Sequence, residues 1–222
     1  MESTIHLIHN VTKIYPIIIP VSTIIYGILS RKSIGFVLAL IAISGDLFNN
    51  MVLKKLSGRL YQYWYPGGSG NCTSSQLIRP LDANHPEKSS CGLFYDCIKA
   101  DTPDDYFCGK GPVKIGMPSG HAQMASLMTL LFIFMLAKNT NIYNVLAMIT
   151  FIAIAIWVSY SRILITCHTA NQVLVGSLIG YVLGLLAYYL LKYLYPTEVI
   201  DVEWQQYLPL IAYVLIIIFI NL

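Results

Sequence analysis

The sequence predicts an all-α, polytopic integral membrane protein, a bundle of six transmembrane helices. Three observations predict it. Of 222 residues, 56% are hydrophobic and only 11% are charged, against roughly 25% charged in a soluble domain. Mean hydropathy is +0.62. Six apolar stretches approach the roughly 20 residues needed to cross a hydrocarbon core. A soluble fold would lack the polar surface to cover so many apolar helices. The composition also excludes a disordered chain. The net charge of +3 is too small to imply a polyanionic partner, so no nucleic acid is expected.

The spans are expected at residues 14–29, 34–53, 121–137, 145–160, 169–191 and 208–222. Each is an apolar run bounded by polar or charged residues. Residues 1–13 do not read as a cleaved signal, because Glu2, His6, His9 and Lys13 are followed by no small-residue cleavage site. No internal repeat, heptad pattern or low-complexity tract is visible. The chain therefore reads as one membrane domain, 1–222, with a polar insertion at 56–117 between the second and third spans.

Orientation follows from parity. The first, third and fifth loops carry Arg31 and Lys32, Lys138, and Lys192. Short basic loops belong on the cytoplasmic side. The second and fourth loops then face the lumen or exterior. The second loop has six basic and six acidic residues between 56 and 117 and is too long to count for orientation. It holds Cys72, Cys91, Cys97 and Cys108. Four cysteines in one polar loop are consistent with two disulfides in an oxidising compartment, their pairing undetermined, or with four free thiols. Asn71-Cys72-Thr73 is a glycosylation sequon. Cys167 reads as a small packing residue. Tyr61, Trp64, Tyr65, Trp204 and Tyr207 read as an interfacial aromatic belt.

Ionisable residues at membrane spans are expensive and point to function. Here they gather at the ends of spans two, three and five that parity places together. Those ends carry Lys54 and Lys55, Arg79-Pro80, Pro118-Ser119-Gly120-His121, Ser161-Arg162 and His168. Arginine matches phosphate oxygens bidentately and lysine acts as a point charge. Pro118-Ser119-Gly120 precedes an apolar run, and a helix N-terminus with a glycine lets backbone amides approach an anion. The ligand implied is a phosphate. One neutral imidazole can attack phosphorus. The other can protonate the leaving oxygen and then activate water. Cations would carry the charge of the transferring group, so the chemistry calls for no metal and no cofactor. His6, His9 and His85 fit no such pattern.

These motifs resemble those of the type-2 phosphatidate phosphatase superfamily of integral-membrane lipid phosphatases. Its three motifs are a lysine followed by Arg-Pro, a Pro-Ser-Gly-His, and a Ser-Arg followed by a histidine. Pro118-Ser119-Gly120-His121 matches the second, and Ser161-Arg162 with His168 matches the third. Within the superfamily the resemblance is strongest to dolichyl diphosphatases, through 116–123, 158–162 and His168-Thr169 with Gln172-Val173-Leu174. It covers roughly residues 35 to 190. It implies a six-helix, haloperoxidase-like fold and an endoplasmic-reticulum membrane protein with a lumenal site. The implied substrate is a lipid phosphate or diphosphate in the bilayer, dolichyl diphosphate before phosphatidate. His168 would be the nucleophile and His121 the general acid and base. Lys54, Arg79, Ser119, Gly120 and Arg162 would bind the phosphoryl oxygens.

Two departures from the family pattern stand out. Between Lys54 and Arg79 lie 24 residues, far more than the family spacing. Asn50-Met51-Val52-Leu53-Lys54 resembles the run before the family lysine, with Lys55 as the rival. The extra residues read as a cap over the site or as a neutral surface loop. The second departure is the aspartate that usually orients the nucleophile. Gln172 stands there instead, four residues after His168 and on the same helix face, where its carbonyl oxygen can accept the Nδ1 proton. Dolichyl diphosphatases resemble this chain in having that glutamine. Asp46, on one face with Asn50 and Lys54, is an alternative source of a carboxylate. A non-catalytic lipid-phosphate binder, a phosphotransferase and a channel are the rival functions. Charges at one face rather than through the midplane argue against the channel. Oligomeric state is not legible.

Overall fold

The computed structural model of the chain describes residues 12, 14–64, 116–138, 141–164, 168–195, 210, 211 and 213. Every regular element among them is helical. Helix α1 spans Tyr15–Ser30 and opens with Pro16 in its first turn, where the missing N–H costs nothing. It ends at Arg31, whose left-handed backbone (φ 54°) returns its N–H to the last turn. Helix α2, Ser33–Phe48, then runs back along α1. At their crossing Gly35 lies on the backbone of Gly27, where a side chain would strike it.

The second span does not stop where the sequence places its end. α2 passes into a π-helical turn, Asn49–Leu53, and that into α3, Lys54–Trp64. Nine residues assigned to the polar insertion, 56–64, are therefore helical. Lys54 and Lys55 interrupt the hydropathy without breaking the helix. The segment is free of proline and rich in straight-chain residues that propagate helices.

Helices α4 (Gly120–Leu136), α5 (Ile142–Leu164) and α6 (Ala170–Leu194) match the third, fourth and fifth expected spans. α5 is longer than expected at both ends, and its extension takes Ser161 and Arg162 into the last turn. Of the sixth expected span only Leu210, Ile211 and Tyr213 are described, all helical. The helices α2–α3, α5 and α6 are each long and apolar enough to cross a membrane; α1 and α4 are shorter apolar helices.

α4 is the centre of the bundle. Residues 122–129 are all buried, as expected of a helix that is apolar all round. α1, α2, α5 and α6 pack on it. Their outer faces expose Ile28, Leu40, Ile156 and Leu186, each more than half exposed. Large apolar side chains outside and polar ones inside are the arrangement expected when lipid is the solvent. α5 runs antiparallel to α4. Phe132 and Phe151 stack at 4.7 Å, Thr129 Oγ1 donates to the Phe151 carbonyl at 3.2 Å, and Asn144 Nδ2 donates to that of Leu136 at 3.3 Å.

α6 runs parallel to α4, and their backbones touch. Gly176, Gly180 and Gly184 form a stripe at four-residue spacing. A Cβ at Gly176 would lie 2.5 Å from the Ser119 carbonyl oxygen, one at Gly184 2.6 Å from that of Leu127, and one at Gly180 closer still to that of Gln123. Small residues at this spacing let helices in a membrane approach to backbone contact.

Candidate functional site

Four helix ends meet at one end of the bundle: the π turn after α2, the N-termini of α4 and α6, and the C-terminus of α5. The parallel α4–α6 seam forces two of them together. The Ser119 amide donates to the Gln172 carbonyl at 3.0 Å, so the Pro118–Gly120 turn sits on the first turn of α6.

His168 lies in the short connection between α5 and α6. Its amide donates to the Arg162 carbonyl at 3.1 Å, which tucks the residue under the last turn of α5. It is 8% exposed. Its Nδ1 is 3.2 Å from Gln172 Oε1. The same oxygen accepts from the Thr169 amide at 3.0 Å, while Thr169 Oγ1 accepts from the Gln172 amide at 3.4 Å. This is a reciprocal capping box at the start of α6.

The cap fixes more than the helix. A backbone amide can only donate, so the Gln172 atom it meets must be the oxygen. That oxygen can only accept from His168. Nδ1 therefore carries the proton, and Nε2 holds a lone pair. Burial, the charge of Arg162 and the charge of Lys54, in that order, push the His168 pKa from its ordinary 6.5 down to about 3, against the opposing hydrogen bond to Gln172. The imidazole is neutral at physiological pH, and the charges of Arg162 and Lys54 act on it.

The remaining residues predicted from sequence fall as follows. Arg162 is 5% exposed and Ser119 fully buried. Ser119 is the N-cap of α4, yet its side chain does not cap the helix, and its Oγ has no hydrogen-bond partner among the described residues. Gly120 and His121 open α4, at the positive end of the helix dipole. Lys54 begins α3 and is half-buried; its charge, together with that of Arg162, acts on His168. Asp46 does not take the orienting position. Its Oδ2 accepts from Asn50 Nδ2 at 3.2 Å, and its Oδ1 faces Gly120, 3.8 Å from where a Cβ would stand.

Arg79, the four loop cysteines, the sequon, Cys167, His6, His9, His85, Tyr65, Trp204 and Tyr207 lie outside the described residues. Tyr61 and Trp64 lie at the helical end of α3, and their side chains are not described.

A family model described as the PAP2 superfamily matches residues 34–196. The chain belongs to the PAP2 superfamily. The match runs from α2 to just past α6 and takes in every element of the site. Among curated proteins, dolichyldiphosphatase 1 of Dictyostelium discoideum is 35% identical over 85 residues, 36% of this chain and 37% of that protein. The chain thus matches a little over a third of that relative's length. No solved structure matches.

Within this superfamily member, sequence reasoning missed three contributors to the site. Thr169 was readable, because Thr-x-x-Gln before an apolar run is a capping-box pattern. Asn49 and Gln123 are polar residues in apolar spans, each fully or almost fully buried. Their placement in the spans was a signal. Their partnership, across 74 residues, was not.

Proposed function

We propose that this protein hydrolyses a lipid phosphate or diphosphate through a phosphohistidine, with dolichyl diphosphate as its substrate. The observation that carries the reading is the oriented His168. Its Nδ1 proton is held by Gln172 Oε1, which leaves Nε2 as the nitrogen that carries the lone pair, and the charges of Arg162 and Lys54 act on the ring. A neutral, desolvated imidazole within the field of two cations suits attack on an anionic phosphorus centre.

In the first step Nε2 of His168 bonds to the terminal phosphorus. The bond from phosphorus to the lipid leaving oxygen breaks, and His121 gives that oxygen a proton. In the second step His121 takes a proton from water, the oxygen of that water bonds to phosphorus, and the N–P bond breaks. Inorganic phosphate leaves, and both histidines return to their starting states. Lys54, Arg79, Ser119, the Gly120 amide and Arg162 hold the phosphoryl oxygens. With dolichyl diphosphate the products are dolichyl phosphate and phosphate. The similarity to a dolichyldiphosphatase over 85 residues supports that substrate, and with it a site facing the lumen of the endoplasmic reticulum.

The test is phosphate release by purified protein in detergent with EDTA, from dolichyl diphosphate and phosphatidate side by side. Release that favours the diphosphate and disappears in His168→Ala is the expected result. Release that favours phosphatidate keeps the mechanism and removes the substrate. Activity retained in His168→Ala removes the mechanism.

A further inference from the structure

Asn49 is fully buried where α2 gives way to the π turn. Its Nδ2 donates to Gln123 Oε1 at 2.6 Å and reaches the Pro118 carbonyl at 3.5 Å. Gln123 Nε2 in turn donates to the Gly45 carbonyl at 3.0 Å. The direction of this chain is fixed at its start. A backbone carbonyl only accepts, so Gln123 presents its nitrogen to Gly45 and its oxygen to Asn49. Asn49 must then donate, and its own oxygen points toward Gly120, 3.5 Å from where a Cβ would stand. That oxygen is buried and without a hydrogen-bond partner among the described residues.

The π turn links this chain to the cation. The Lys54 amide bonds to the Asn49 carbonyl, five residues back. In an α-helix, at about 3.6 residues per turn, residues five apart point to different sides. In the π turn they stack. Asn49 bonds to Gln123 of α4, and Lys54, one turn above it, carries the charge that acts on His168.

We propose that Asn49 and Gln123 are positioning residues, a relay that sets the Pro118–Gly120 turn and the Lys54 ammonium against the nucleophile. Ser119, Gly120 and His121 follow directly on the carbonyl that Asn49 holds. Gly45, Asn49 and Gln123 touch no reacting atom in this arrangement. Their contribution is to the placement of groups that do, and a displacement of about 1 Å there can cost on the order of 100-fold in rate. The inference rests on the phosphohydrolase reading above.

The variant that isolates the relay is Asn49→Leu with Gln123→Met. Replacing both partners by apolar groups of similar size removes both side-chain amides together. The Gly45 carbonyl keeps the Asn49 backbone amide and the Pro118 carbonyl loses only the long 3.5 Å contact, so the cost in stability is expected to be small. Phosphate release is followed from the lipid that the wild type hydrolyses. The expected result is a fall in kcat of about 10- to 100-fold with KM within about twofold of wild type. The affinity for orthovanadate, a mimic of the transferring phosphoryl group, should fall in parallel. In a Ser119→Ala background the same pair should cost less than it does in the wild type, since one of the groups it places is gone. Asn49→Ser, which leaves room for a water in place of the amide, carries the same expectation if the paired variant does not fold. Wild-type kcat and vanadate affinity in these variants would overturn the relay. So would a loss fully additive with Ser119→Ala. If the wild type hydrolyses no lipid phosphate, the functional reading fails on its own, and vanadate affinity still decides the relay.

Discussion

α4 is held on two sides by opposite means. Against α6 the contact is backbone on backbone: Gly176, Gly180 and Gly184 remove the side chains that would separate the helices. Against α2 it is polar: Asn49 and Gln123 meet in a buried hydrogen bond, with Gly45 and Pro118 at its ends. The glycine seam sets a distance, because carbonyl oxygens cannot be compressed. The relay sets an orientation, because hydrogen bonds fix which atom faces which. A candidate site that brings a histidine on one helix end to the Pro118–Gly120 turn on another needs both. In a membrane neither is supplied by hydrophobic burial, since lipid tails are as apolar as the helix faces.

The comparison is broken most severely at the seam. Gly180→Val would drive two methyl groups and a Cβ into the Gln123 carbonyl, which is backbone and cannot turn aside. Overpacking of this kind costs about 1–3 kcal/mol and at times more. The expected outcome is loss of monodisperse protein on gel filtration in detergent, with no activity in any folded remainder.

The next effect separates what the seam holds from the seam itself. Gln172→Leu keeps the helix faces but leaves the Thr169 amide and His168 Nδ1 without their shared acceptor. Thr169 Oγ1 still caps the helix through the backbone amide of residue 172. The lost acceptor costs about 1–3 kcal/mol, so the protein should fold with a lower melting temperature. Losing the tautomer should lower kcat by about 100-fold or more, with KM little changed. Steady-state phosphate release measures both.

The last effect concerns the corner that the two contacts enclose. His168 is held neutral in the folded protein, its pKa near 3, whereas the unfolded chain takes up a proton near the ordinary 6.5. The unfolded state thus binds more protons between those values, and stability falls as pH drops from about 6.5 toward 3. His168→Asn removes that proton uptake. Melting temperatures of the two proteins should therefore converge or cross as the pH is lowered through this window. An unchanged difference between pH 7 and pH 4 would contradict the burial of a neutral imidazole.

The sequence carried a good part of this. Five of the six expected spans appear as described helices, because hydropathy over 20 residues is a local property and lipid leaves few alternatives. Where the expectation fell short, at 56–64, the reason was equally local. Two lysines end an apolar run without ending a helix. The pairing of His168 with Gln172 was legible, since both residues lie within one helical turn. Thr169 was legible by the same logic. The π turn was not, because nothing in Asn49–Leu53 marks the extra residue it accommodates.

What the sequence determined by itself is a membrane-spanning helical chain, the segments that form its spans, and the kinds of side chain at their ends. These depend on composition and on spacings of a few residues. The tertiary structure decided which ends meet. It brought Ser119 onto Gln172 and Gly176, placed the charges of Lys54 and Arg162 beside His168, and joined Asn49 to Gln123 across 74 residues of chain. Those outcomes depend on distances between helices. Such distances follow from how glycine stripes and buried amides fit together, and no single segment contains that information.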